Sequence, residues 1–141
     1  MPFTGSIEDR HLIRERMSAY ADAMFTQNLD SWLSNFAEDI VWKFGSSTMN
    51  GREALKASWP ALWEQVRAMG YFTEVASIEV DGDWAKAKCY SRQIFFRKDG
   101  TVTKVVGLYS DVLERQGDAW VFAEREFSII GTEPEGWVSA P

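Results

Sequence analysis

Asp111 and Arg125 are the two charges in this chain whose settings could put them to chemical use. Asp111 lies in the run Val105 to Leu113 and Arg125 in the run Trp120 to Phe127, and between them Gln116-Gly117-Asp118 has the composition of a tight turn. The two alternating runs predict a pair of long antiparallel strands. Side chains alternate across a strand, so Gly107, Tyr109, Asp111 and Leu113 share one face, as do Val121, Ala123, Arg125 and Phe127. If these faces are buried, a carboxyl and a guanidinium enter an apolar interior, which is costly unless the groups are paired or used. The opposite parity leaves both charges in water and buries Leu108, Val112, Trp120 and Phe122 instead. A third arrangement, a purely structural ion pair, fits the same spacing. Pattern alone leaves these alternatives open.

Tyr20 joins the two charges as a candidate because it falls in the apolar stripe of the first predicted helix. A phenol and a neutral carboxylic acid can donate to a developing oxyanion, and a buried guanidinium can hold a carboxylate, phenolate or enolate. Asp111 could act as the base if Arg125 beside it keeps it ionised. The candidate catalytic set is therefore Tyr20, Asp111 and Arg125. Trp42, Phe44, Trp59, Trp63, Tyr71, Tyr109 and Phe127 are the candidate pocket wall, with plain core as the alternative.

Composition narrows the chemistry further. The 141 residues are 45% hydrophobic and 14% aromatic, with seven Trp, which suits one globular domain with a real core. A net charge of -6 offers no basic stripe for a phosphate backbone, so nucleic acid is not an expected partner. Cys89 is the only cysteine and His11 the only histidine. A disulfide framework, a thiol-based zinc site, a His-based metal site and a Ser-His-Asp triad are therefore all disfavoured, and neither metal nor cofactor is implied. No apolar run reaches the roughly 18 residues a bilayer span requires, and no signal-like segment opens the chain. These features imply a cytoplasmic protein without membrane contact.

The elements that would position the candidates follow in order. Ser6 reads as the N-cap of a helix to about Phe25, and Asp30 as the cap of a short second helix, Ser31 to Phe36. A short strand covers Ile40 to Phe44. A third helix is predicted from Arg52 to about Met69, bent or divided at Pro60 and stopped by Gly70. Strands then cover Tyr71 to Val80 and Trp84 to Arg97, ahead of the hairpin already described. In the Trp84 strand, Ala85, Ala87, Cys89, Ser91, Gln93 and Phe95 oppose Trp84, Lys86, Lys88, Tyr90, Arg92 and Ile94. The two lysines point to solvent for the start of the second set, and a bulge midway would exchange those faces. Residues 131–141 read as an irregular tail in which Trp137 covers a pocket mouth or packs on a second subunit. Helices followed by a run of antiparallel strands make an α+β architecture, a curved sheet closed into a cone by its helices.

This order of elements resembles the SnoaL-like members of the nuclear transport factor two-like superfamily. The resemblance rests on Tyr20-Ala21-Asp22-Ala23 with Asn28-Leu29-Asp30, Phe36-Ala37-Glu38-Asp39, Asn50-Gly51-Arg52, Val80-Asp81-Gly82-Asp83, Gly107 to Asp111 and Trp120 to Arg125. It implies a single domain over residues 1–141, with its core at about 7–130, and a homodimer. Within that superfamily, Tyr20 and Asp111 line up with the oxyanion-hole tyrosine and protonated aspartic acid of ketosteroid isomerase. The general base of that enzyme would fall at Phe44. Arg125 matches an active-site arginine of hexachlorocyclohexane dehydrochlorinase. The Asp-His dyad of that enzyme and of scytalone dehydratase would fall near Phe25 and Tyr71, so both halves are replaced here. The resemblance thus implies a pocket for a small apolar or aromatic molecule, with three functions in competition. These are a cofactor-free lyase or isomerase, a non-catalytic binding protein, and an accessory subunit like the small subunit of ring-hydroxylating dioxygenases.

Overall fold

The computed structural model describes residues 2–133 together with 136 and 137. A short strand β1 (Phe3–Thr4) precedes helices α1 (Ile7–Thr26) and α2 (Leu29–Leu33), strands β2 (Phe36–Phe44) and β3 (Ser47–Asn50), and helix α3 (Arg52–Trp63). Four long strands follow, β4 (Val66–Asp81), β5 (Trp84–Arg97), β6 (Val102–Gln116) and β7 (Ala119–Glu133), and then β8 (Gly136–Trp137). These strands form one sheet in the order β1-β4-β5-β6-β7-β2-β3, with β8 paired to β7. Pairing is parallel between β1 and β4 and between β2 and β7, and antiparallel elsewhere. The result is an α+β cone of the nuclear transport factor two-like type, with α1 laid against β4 and β7.

Helix α1 starts where Ser6 accepts a hydrogen bond from the Asp9 amide at 3.0 Å. Its buried side is Ile13, Met17, Tyr20, Ala23 and Met24, a spacing of three and four that keeps one face of a helix on the sheet. Ile7 and Phe25 fall off that stripe and are 78% and 47% exposed. Asn28, not Asp30, caps α2, accepting from the Ser31 amide, so the helix begins earlier than its sequence suggests.

Helix α3 ends at Trp63, well short of Met69. Pro60 removes one backbone donor from its last turn, and from Val66 onward the chain pairs with β5, Met69 facing Phe95 and Gly70 facing Ile94. Ladder pairing has replaced helix continuation, and Gly70 is a strand residue rather than a stop. The stretch expected to be an irregular tail is likewise partly ordered: 131–133 complete β7, and Gly136 and Trp137 pair back onto it. The Trp137 side chain lies outside the described residues.

The central strands β5 and β6 run regularly, whereas their flanking partners each carry two extra residues. In β4 these are Arg67 and Ala76, and in β7 they are Ala123 and Ile130. An extra residue bends a strand and raises its twist. The bulge at Ala123 resolves the parity question: Phe122 and Arg125 both face inward, and Trp120 is buried along with Asp111. No bulge interrupts β5 in its ladder with β6, so Ala85, Ala87, Cys89, Ser91 and Gln93 are buried while Tyr90 and Arg92 stay on the outer face.

The first turn of α1 is clamped to the hairpin of β6 and β7. Arg115 bonds Asp9 through both terminal nitrogens at 2.8 and 3.1 Å, and Trp120 Nε1 donates to the same carboxylate. The Arg115 and Trp120 hydrogen bonds hold the Asp9 carboxyl at about 2, below its usual 3.8. A depressed folded-state value adds stability that is complete above the unfolded value and is lost as pH falls from about 4 through about 2. Urea melts at pH 5 and pH 3 are expected to show this loss in the wild type and a smaller one in Asp9→Asn.

Candidate functional site

Between α1, α3 and the inner face of the sheet lies a cavity of about 440 Å³. Its wall is mostly apolar. Met24, Trp32, Met69 and Phe95 line it, as do Trp42, Phe44, Met49 and Leu62, with Val105, Phe127 and Ile129 from β6 and β7. Phe44 is 44% exposed, so this side chain stands at the solvent end. The polar lining is Tyr20, Tyr71, Tyr109, Gln93 and Ser58, and no Asp, Glu, His, Lys or Arg is among the lining residues.

The three tyrosines come from α1, β4 and β6 and gather into one layer. Ring centroids are 5.4 Å apart for Tyr20 and Tyr71, 6.2 Å for Tyr71 and Tyr109, and 6.3 Å for Tyr20 and Tyr109. Gln93 Nε2 donates to the Tyr109 oxygen and to Ser91 Oγ, both at 3.1 Å. That bond occupies an acceptor lone pair and leaves the Tyr109 proton free to donate. The Tyr71 hydroxyl makes no well-formed hydrogen bond among the described residues, although it lies near enough to the Tyr109 hydroxyl to interact with it, and Trp32 Nε1 and Trp42 Nε1 have no partner there. Burial first, and then the neighbouring phenols, raise the Tyr71 and Tyr109 hydroxyls well above the ordinary phenol range. Both are therefore neutral donors at physiological pH. The Ser58 hydroxyl is committed to the Leu55 carbonyl at 2.7 Å.

Asp111 and Arg125 lie beneath this layer. They are cross-strand partners, with Nε and Oδ1 3.1 Å apart and side chains 0% and 1% exposed. The approach is poorly angled for a hydrogen bond, and both Asp111 oxygens lack a donor among the described residues. Burial pushes the Asp111 carboxyl up to about 6 despite the opposing pull of Arg125. Burial also works against the Arg125 charge, but Asp111 and then the surrounding phenols outweigh it and keep Arg125 a cation. The guanidinium stacks on rings, its carbon 3.8 Å from the Tyr109 centroid, 4.2 Å from that of Tyr20 and 4.3 Å from that of Phe122. On the other side of the sheet, Lys43, Lys86, Lys88 and Glu124 border a groove of about 310 Å³. Asp111 and Arg125 also border that groove, although their side chains are 0% and 1% exposed.

The structure therefore brings Tyr20, Asp111 and Arg125 together but does not aim all three at a common guest. Tyr20 reaches the cavity, while Asp111 and Arg125 are screened from it by the rings that Arg125 supports. Of the expected wall, Trp42, Phe44, Tyr71, Tyr109 and Phe127 line the cavity. Trp59 and Trp63 do not. The face α3 turns to the cavity carries Ser58, Ala61 and Leu62, which leaves Trp59 stacked on Trp32 at 4.8 Å and Trp63 on Trp59 at 5.5 Å. Phe25 and Tyr71, the positions matched to the missing dyad, part company: Phe25 packs on Phe72 at 5.5 Å outside the cavity, and Tyr71 is in its wall. Gln93 and Trp32 were not anticipated as site residues, and for Gln93 the β5 alternation had left the facing open. His11 is exposed beside Glu15. Among the described residues, no group of three or more His, Cys, Asp or Glu could hold a metal ion, and no helix is long and apolar enough to cross a membrane.

Known structures share this fold. A candidate scytalone dehydratase from Novosphingobium aromaticivorans is 18% identical over 94% of this chain and 91% of its own, with a TM-score of 0.83. A type 2 hexachlorocyclohexane dehydrochlorinase, LinA, is 18% identical over 94% and 93%, with a TM-score of 0.79. A protein of unknown function from Mycobacterium tuberculosis is 26% identical over 87% and 77%, with a TM-score of 0.78. No curated protein matches the chain by sequence. The model of the SnoaL-like domain matches residues 5–126, most of the helices and sheet that enclose the cavity, and the chain belongs to that family.

Proposed function

We propose that the cavity receives one small, mostly apolar cyclic molecule and donates hydrogen bonds to an oxygen on it. The observation that carries this reading is the Tyr71 hydroxyl, buried, without a well-formed hydrogen bond among the described residues and set in the mostly apolar wall of a cavity of about 440 Å³. A buried donor without a partner costs free energy that an acceptor on a guest would return. Tyr109, with its oxygen already accepting from Gln93, supplies a second donor, and the aromatic wall supplies the apolar contact. The cavity volume speaks against a purely assembly-related role.

Catalysis as a cofactor-free lyase or isomerase is a second reading, favoured by the names of two structural relatives, a candidate scytalone dehydratase and a hexachlorocyclohexane dehydrochlorinase. Neutral phenols would polarise a carbonyl, the electrostatic half of such a reaction. The lining residues offer no carboxylate, imidazole or amine to accept a proton, so binding without conversion is the reading with more support. The proposed setting is the cytoplasm. A second copy of the chain is the proposed protein partner, covering an outer face that exposes Phe72, Trp84 and Phe96, and light scattering would measure it.

The pocket reading is tested with 1-tetralone, a bicyclic ketone, and naphthalene, which lacks the acceptor, each titrated against tryptophan fluorescence. Tetralone is expected to bind more tightly. Tyr71→Phe is expected to cut that preference by roughly five- to thirtyfold, the worth of one buried hydrogen bond. No saturable binding of either compound would sink the reading. Recovery of a guest chemically altered would move it to the catalytic alternative.

A further inference from the structure

Resting on the pocket reading, we propose that Arg125 is a specificity-determining positioning residue. Its charge, lodged against the back of the tyrosine layer, makes the cavity select the ionised form of a guest's oxygen over the neutral form. The guest class is then an acidic phenol or enol bound as its anion, rather than a neutral ketone or hydrocarbon.

The placement of the two charges carries the argument. Asp111 and Arg125 occupy the same cross-strand row, with Tyr109 and Phe127 in the next row toward the cavity. The aspartate side chain is short and stays in its own row. The arginine is long, and its Nη2 reaches to 3.8 Å from Cys89 Sγ, a residue paired with Tyr109. The cation thus sits one row nearer the cavity than its counter-ion. Its guanidinium carbon lies 3.8 Å from the Tyr109 centroid and 4.2 Å from that of Tyr20, so it meets the ring faces with no solvent between. A cation on a ring face draws electron density from the phenol and strengthens its O–H as a donor, most of all toward a negative acceptor. The same charge opposes the effect of burial on the Tyr71 and Tyr109 hydroxyls.

The groups facing the guanidinium are Tyr20 on α1, Tyr71 on β4, Cys89 on β5, and Tyr109 and Asp111 on β6. Asp111 titrates at about 6, the Cys89 thiol is pushed up to about 11 by burial, and the Tyr71 and Tyr109 hydroxyls lie higher than an ordinary phenol. Asp111 is the one of these groups that titrates in the same range as a guest ionising near neutral pH, so the guest's ionisation must be read from its own absorbance.

The probe is 4-nitrophenol, whose anion absorbs visibly and whose free form ionises close to neutrality. Bound to the wild-type protein, it is expected to titrate at least about one pH unit below its free value, a roughly tenfold preference for the anion. In the double variant Asp111→Leu, Arg125→Met, which leaves no lone buried charge, the bound probe is expected to titrate at or above its free value. A wild-type protein that binds the probe without lowering its titration overturns the proposal, as does a double variant that lowers it equally. The non-ionisable 4-nitroanisole separates the two levels of inference. Binding of 4-nitroanisole with no preference for the 4-nitrophenol anion overturns the role of Arg125 alone, whereas failure of both probes to bind overturns the pocket reading with it. A wild-type protein that fails to lower the titration overturns the proposal whether or not the double variant folds.

Discussion

Replacing Arg125 alone with Met is expected to lower the unfolding free energy by roughly 3–5 kcal/mol near pH 8, and by less at pH 5. The direction of the pH effect follows from Asp111. Its folded-state value of about 6 lies above its usual 3.8, so its contribution is fully present below about 4 and is lost as pH rises through about 6. Arg125 is the one group opposing burial at that carboxyl. Without it, Asp111 keeps its proton to a higher pH while the unfolded chain still releases it near 4, so the deficit of the variant widens above pH 6. Urea melts of both proteins at pH 5 and pH 8 measure this. An equal deficit at the two values would mean that the two side chains are not energetically coupled. The double variant Asp111→Leu, Arg125→Met is expected to be at least as stable as the wild type, because an apolar pair of similar size avoids desolvating two charges. A pair that the fold could replace without loss is better explained by what its charge does to the tyrosines than by stability.

Gly107→Ala should close the cavity from behind. Gly107 has an ordinary strand conformation, but a Cβ there would overlap the Phe127 ring and come to 2.9 Å from Ser91 Oγ. The missing side chain is the space that the ring fills. Phe127 lies 4.7 Å from Tyr109 and 5.5 Å from Phe44, centroid to centroid, so displacing it forces the ring toward the guest. Overpacking of this kind costs about 1–3 kcal/mol. The accompanying expectation is loss of measurable 4-nitroanisole binding, followed by tryptophan fluorescence. A variant with unchanged melting and unchanged binding would show that Phe127 has somewhere else to go.

The inward pairing of Asp111 and Arg125 shows how far the sequence can be read. Alternation correctly grouped Gly107, Tyr109, Asp111 and Leu113, because β6 is regular over that stretch. It could not carry from Trp120 to Arg125, because the extra residue Ala123 changes the count without any distinctive residue type to announce it. The end of α3 was hidden for a related reason. Leu62, Trp63 and Val66 continue a helical spacing, and only pairing with residues 22 to 31 positions further on converts Val66 to Tyr71 into strand. The fold class and the aromatic cavity were legible because hydrophobic content and element order survive such local errors. The separation of the charged pair from the cavity was not, because it depends on which rings an arginine stacks against, and no spacing encodes that.

The two Ala residues among the bulges, Ala76 and Ala123, sit on the strands that flank a regular central pair. Removing either would restore regular pairing at that point without reversing the facing of any neighbour, and the sheet would flatten there. Neither residue lines the cavity. The girth of the chamber is thus adjustable by chain length at two remote points, while every side chain that meets the guest stays the same. Descendants of this chain could accommodate bulkier or slimmer guests through single-codon losses in a strand, a route to new specificity that a survey of wall residues alone would never notice.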